Sequence, residues 1–103
     1  MNGSGLETAN REYLRWLILT TLNAARPVGT SEAIILNAIQ TVPLQMTMLE
    51  LRKELAYLAD RSLVTITGKD SPCWHAELNH HGIDVVEYAV ECLPGIARPK
   101  KWW

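Results

Sequence analysis

The sequence predicts a mainly α domain carrying one small β-hairpin, in the order helix, helix, helix, strand, strand, helix. Three observations lead there. Apolar residues recur three and four apart in four separate stretches, the spacing of one helix face. In "LAYLADRSLVTIT" (residues 55–67) that rhythm gives way to alternation at Leu63 with no proline or glycine between. Two alternating runs, "LVTIT" and "WHAEL", then flank the turn-forming "GKDSPC", as in a hairpin.

The first helix is expected over residues 8–25, after a flexible lead of residues 1–7 rich in glycine and serine, and before the Arg26-Pro27 step. On its wheel Leu14, Leu17, Ile18, Thr21, Leu22 and Ala25 share a face, with Trp16 and Leu19 opposite. In the second, shorter helix Thr30 or Ser31 caps a turn marked by Ala33, Ile34, Leu36, Asn37 and Ile39. Pro43 interrupts the chain. The third helix opens at Thr47, with Glu50 at the capping-box position, and carries the stripe Met48, Leu51, Leu55, Leu58 and Ala59. In the hairpin, Val64 and Ile66 point one way and Thr65 and Thr67 the other. Trp74, Ala76 and Leu78 likewise oppose His75 and Glu77. The last helix is expected over residues 80–93, capped by Asn79 and stopped by Pro94-Gly95, with residues 94–103 as a tail.

A chain of 103 residues supports one core, so residues 1–103 read as a single domain. The net charge of −1 excludes a strongly basic nucleic-acid coat and leaves any such binding to a local patch. Cys73 and Cys92 have no CxxC spacing. No signal-peptide order and no apolar run of membrane-spanning length is present, and a cytoplasmic location without membrane contact is expected.

The stretch "LRKELAYLADRSL" (residues 51–63), the Val64 step into a hairpin, and "ELNHHGIDVVE" together resemble the winged helix-turn-helix class. Ser62 stands where that pattern has glycine and Asn79 where it has threonine, both mild departures; the likeness covers residues 30–90. A looser likeness, on "AYLADRSLV" and the "PGIARPKKWW" ending, is to small winged-helix proteins of Mu-like prophages, which implies a phage-associated bacterial protein of poorly defined role; transcriptional or phage regulation is the function expected from the two likenesses together.

The resemblance implies that the third helix reads double-stranded DNA. Its outward candidates are Thr47, Glu50, Lys53 and Tyr57, with Gln45 just before it and Lys69 at the hairpin tip; Thr65 and Thr67 are weaker ones. Charge counts against strong binding, because residues 45–81 carry four basic and five acidic side chains. The other reading of the same fold is a protein-interaction module without DNA contacts. Surplus apolar residues motivate it: Trp16 and Leu19 on the first helix, and Val85, Tyr88 and Cys92 on the last, could pair two copies as a homodimer. Alternatively the two helices cover each other, or the "KKWW" ending folds back over Trp16.

Cys73, His75, His80 and His81 fall within nine residues but match no standard zinc spacing, so neither metal nor cofactor is expected. Asp84, Glu87 and Glu91 read as a solvated acidic stripe. No nucleophile elbow, phosphate loop or HExxH motif appears, so an enzyme is not expected.

Overall fold

The computed structural model describes residues 4–40 and 46–101. They form α1 (Ser4–Ala24), β1 (Thr30–Ser31), α2 (Glu32–Ile39), α3 (Met48–Asp60), β2 (Val64–Thr67), β3 (His75–Leu78) and α4 (His80–Val86). The three strands make one antiparallel sheet in the order β1-β3-β2. The result is a small mixed domain of four helices and a three-stranded sheet.

Helix α1 is the centre of the packing and touches α2, α3, α4 and β3. That explains a departure from the wheel reading. Leu14, Ile18 and Leu22 are buried as expected, but so is Leu19, which is fully enclosed rather than on an outer face. A helix surrounded by four elements buries a wider arc than one lying on a single layer. Helix α1 also begins at Ser4, so it takes up much of the expected flexible lead.

The pair Thr30–Ser31 was expected only as a loop and cap; it is also a strand. Thr30 pairs with Ala76 and Ser31 with His75, and Ser31 Oγ accepts the Ile34 N–H at 3.3 Å to cap α2. Gly29 makes this approach possible. Its φ is +80°, and a Cβ there would lie 2.3 Å from the Ala76 carbonyl oxygen. Two residues are too few to show a period, which is why the strand is silent in the sequence.

Helix α3 has both signals the sequence offers. Glu50 N–H donates to Thr47 Oγ1 at 3.1 Å and Thr47 N–H donates to the Glu50 carboxylate at 2.8 Å, a complete capping box. Leu51, Leu55 and Leu58 are buried beneath it. At its far end Leu63 N–H reaches Leu58 O and Ser62 N–H reaches Ala59 O, a Schellman ending with Ser62 at φ 63°. A serine holds the left-handed position that glycine fills without steric cost. Ser62→Gly is therefore expected to raise stability by roughly 0.5–1 kcal/mol. Thermal unfolding checks this, and a lowered midpoint would contradict it.

Helix α4 ends at Val86, not at residue 93. The same ending recurs here: Ala89 N–H bonds Asp84 O, Tyr88 N–H bonds Val85 O, and Tyr88 sits at φ 61°. The chain reverses at Tyr88. Residues 94–101, expected as a tail, then run back over the helices. Arg61 donates to Pro94 O, Arg15 to Gly95 O, and Ala97 N–H to Glu12 O. Arg98 donates to the carbonyls of Val85 and Val90, each at 2.9 Å.

Candidate nucleic-acid interface

The side of α3 opposite its leucine stripe is open. Thr47, Leu49, Glu50, Lys53, Ala56 and Asp60 are all exposed. Two of the predicted contacts are already engaged in holding the helix. Thr47 and Glu50 complete the capping box, and the Thr47 backbone N–H and then its hydroxyl hold the Glu50 carboxyl below the usual carboxylate range. Lys53 is exposed beside Glu50 and is the one outward cation on this helix face. Gln45 lies outside the described residues.

Tyr57 does not face outward with them. Its ring is half-buried between two guanidiniums, Arg15 at 3.6 Å and Arg61 at 4.6 Å from the ring centroid. The backbone of Gly95 presses on its hydroxyl, since a Cβ at Gly95 would stand 2.1 Å from that oxygen. The returning C-terminal segment covers the flank of α3 that carries Tyr57, and nothing in the helical period announces it.

At the hairpin, Lys69 Nζ lies 5.3 Å from the centroid of the Trp74 ring, and the Arg52 guanidinium lies 4.8 Å from the same ring. Trp74 Nε1 is buried there without a hydrogen-bond partner among the described residues. Thr65 and Thr67 are exposed on the outer face of β2.

The join between α3 and the hairpin rests on a group that the sequence reading passed over. Glu32, only 2 % exposed, opens α2 and accepts two bonds from Arg52 of α3, Nε at 2.7 Å and Nη2 at 2.6 Å. It also accepts the Trp74 N–H at 2.9 Å, while its own N–H donates to Trp74 O at 2.8 Å. The Arg52 hydrogen bonds lower its carboxyl's pKa against the opposing effect of burial. One carboxylate thus ties α2, α3 and the entry to β3. The only sequence trace of it is an acid at a helix start and an arginine on the flank of the next helix. Glu54, 7 % exposed, is similarly met by Arg15 Nε at 2.6 Å.

The five residues considered for a dimer surface are differently placed. Leu19 and Val85 belong to the core. Trp16 and Tyr88 pack edge to face with centroids 6.3 Å apart, and the Tyr88 hydroxyl donates to Pro99 O at 2.7 Å. Cys92 is half-buried against the core, and burial pushes its thiol pKa up.

Among the described residues, no group of three or more histidines, cysteines or acids is arranged to hold a metal ion. His75 Nε2 lies 2.9 Å from Val28 O, and His80 faces Asp84 at 3.6 Å. No helix among them is long and apolar enough to cross a membrane. No protein-family model, no curated protein and no solved structure matches the chain.

Proposed function

We propose that the chain is a winged helix-turn-helix domain that binds duplex DNA, with α3 laid in the major groove and the β2–β3 hairpin as the wing. One observation carries the reading: α3 keeps an exposed strip, Thr47, Leu49, Glu50, Lys53, Ala56 and Asp60, next to a hairpin that is hydrogen-bonded, through β3, to the strand preceding α2. A helix seated across α2 with a hairpin beside it is the arrangement by which such domains straddle a groove and the adjoining backbone. A transcriptional or phage regulatory role in the cytoplasm accords with it.

The chemistry sets the strength. Lys53 on α3 and Lys69 at the hairpin tip, the latter lying against the Trp74 ring, are exposed cations that can meet phosphates, and Glu50, Asp60 and Asp70 are exposed as well. Phosphate neutralisation supplies most sequence-independent affinity, so binding to random duplex is expected at a Kd of roughly 10 µM or weaker at low salt. With about two phosphates neutralised, log K should fall with log salt at a slope of about −2. Lys53→Ala and Lys69→Ala should each weaken binding uniformly across sequences and reduce that slope by about 1. Fluorescence anisotropy on a labelled random duplex between low and moderate salt measures all three quantities. No binding at the lowest salt by a folded protein sinks the DNA reading.

A second reading has its own observation. Leu49 on the α3 face is 65 % exposed and Ile34 on α2 is 56 % exposed, with more acid than base nearby. An apolar and mildly acidic face suits a protein partner better than a polyphosphate. On this reading Leu49→Ser abolishes partner binding and leaves duplex binding as it was.

A further inference from the structure

Arg52 offers more than its pair with Glu32 uses. On the wheel it stands about 40° from Ala56, at the edge of the exposed strip of α3. This is the flank nearest the hairpin, because Nη2 donates to Pro72 O at 3.2 Å and the guanidinium lies against the Trp74 ring. Glu32 occupies the edge made by Nε and Nη2. Nη1, the remaining arm with two N–H groups, bonds to no described residue and is not buried; the side chain is 32 % exposed. Three hydrogen bonds therefore fix the plane of the guanidinium while one arm stays open to solvent. An arginine held in this way loses little rotamer freedom when an anion arrives.

Its neighbour across the ring is Lys69. The Lys69 Nζ lies 5.3 Å from the Trp74 centroid and Arg52 lies 4.8 Å from it, so one indole draws a cation of α3 and a cation of the hairpin tip together. Among the described residues Lys69 forms no ion pair. Glu32 offsets part of the Arg52 charge from the opposite edge, and Asp70 is exposed next to Lys69 in the chain. That balance disfavours a free anion held by charge alone. It suits a ligand that is anchored elsewhere and carries phosphates to fixed points, as a duplex laid against α3 does.

We infer that Arg52 Nη1 and Lys69 Nζ grip the sugar–phosphate backbone of the duplex where it passes between α3 and the hairpin. The inference rests on the DNA reading and adds to it a contact on the flank of α3. Arg52 donates both Nη1 hydrogens to phosphate oxygens, a pairing its planar fork matches. Glu32 is the positioning residue behind it. Contacts of this kind set register and carry no sequence information, so their loss weakens binding to every sequence alike.

Anisotropy with random duplex across salt, and nitrogen-15 NMR of the full chain with the same duplex, test it. Two lysine contacts alone give log K against log salt a slope of about −2, and a third contact brings it to about −2.7. The variant that isolates Arg52 is Glu32→Gln with Arg52→Gln, which leaves the net charge unchanged and lets two amides replace the ion pair. It should bind roughly tenfold more weakly and with a slope shallower by about 0.9. Arg52→Lys is the second variant: its single ammonium satisfies Glu32 and leaves no open arm, so the same changes are expected. In the NMR titration the Arg52 Nε–H and the Trp74 indole N–H, identified by their loss in the Arg52 variants and in Trp74→Phe, should shift. The Arg15 Nε–H, bonded to Glu54, should not. A merely structural role for Arg52 lowers affinity together with stability and leaves the slope unchanged. Binding with a slope near −2 that neither variant alters overturns the proposal and leaves the DNA reading standing, as do unmoved Arg52 and Trp74 resonances in a bound chain. No binding at the lowest salt overturns both.

Discussion

Gly82→Ala is expected to unfold the domain or to lower its melting midpoint by more than about 15 °C, a loss of some 3 kcal/mol or more. A Cβ at this position would lie 2.0 Å from the Leu63 carbonyl oxygen and 3.0 Å from both the Leu63 carbonyl carbon and Leu78 Cδ2. None of these is the loose end of a long side chain. Leu63 is the first residue past the α3 ending, and its carbonyl already accepts the Asn79 N–H at 3.2 Å. To admit a methyl, α4 must move off the seam where α3 becomes β2, and Val85 and Asn79 move with it. The gain in helix propensity from glycine to alanine is about 1 kcal/mol and does not offset this. Gly5→Ala is the control, with the same propensity gain and open space around the new methyl. Its midpoint should rise slightly. Paired melts of the two variants decide the matter, and a Gly82→Ala midpoint within a few degrees of the parent would refute the close packing. On the proposed DNA reading, a folded but loosened variant would also misplace the hairpin relative to α3, and its duplex binding should fall with its stability.

Gly82 shows how much of the fold could be read beforehand. It was visible as the glycine of "LNHHGID", in a pattern of known type, but the reason for it is a tertiary approach no local rule contains. The strongest sequence signals were those in which local chemistry and long-range packing agree. The Thr47–Glu50 box, the leucine stripe of α3 and the alternation of β2 against β3 all appear where expected. Helix ends without glycine were harder. Ser62 and Tyr88 adopt the same left-handed ending, yet only the first was found, because alternation begins just after it. After Tyr88 the apolar residues Val90, Cys92 and Leu93 continue a helical spacing, so the reversal leaves no mark in the pattern. What holds Tyr88 there is the Trp16 ring on one side and Arg98, 4.3 Å from its centroid, on another, both set by tertiary structure. The candidate interface divides in the same way. Lys53 faces outward because the wheel places it there. Tyr57 turned out covered because the segment that covers it arrives from residues 94–97. A wheel describes one helix, and the open side of a helix is decided by the rest of the chain.

Glu32 is where the second large effect is expected. Its carboxylate is 2 % exposed and accepts three hydrogen bonds, two from Arg52 and one from the Trp74 N–H. Glu32→Ala removes the acceptor for all three and leaves a guanidinium facing an apolar gap. Breaking a fully buried pair costs about 3–5 kcal/mol, and Arg52 keeps some contact with water, so a loss of about 2–3 kcal/mol is expected. That corresponds to a midpoint some 10–20 °C lower for a domain of this size. The opposite deletion has a different signature. In the parent, the Arg52 bonds lower the folded pKa of Glu32 below its unfolded value. Its contribution is then complete above the unfolded value near 4.5 and is lost as pH falls through the folded one. Arg52→Met removes the largest cause of that lowering and leaves burial, which raises the pKa, opposed by the Trp74 N–H bond, which lowers it. The Glu32 contribution to the pH dependence therefore shrinks. Urea unfolding between pH 4 and pH 7 should show the parent holding or gaining stability toward pH 7, and Arg52→Met gaining less or none. Equal pH slopes in the two proteins would mean that Glu32 is not held by Arg52. Because the same carboxylate joins α2, α3 and the start of β3, both variants should also weaken any binding that needs α3 and the hairpin in fixed register. Lys53→Ala, which touches none of these bonds, should weaken duplex binding on the proposed reading and leave the Glu32 contribution to stability unaltered.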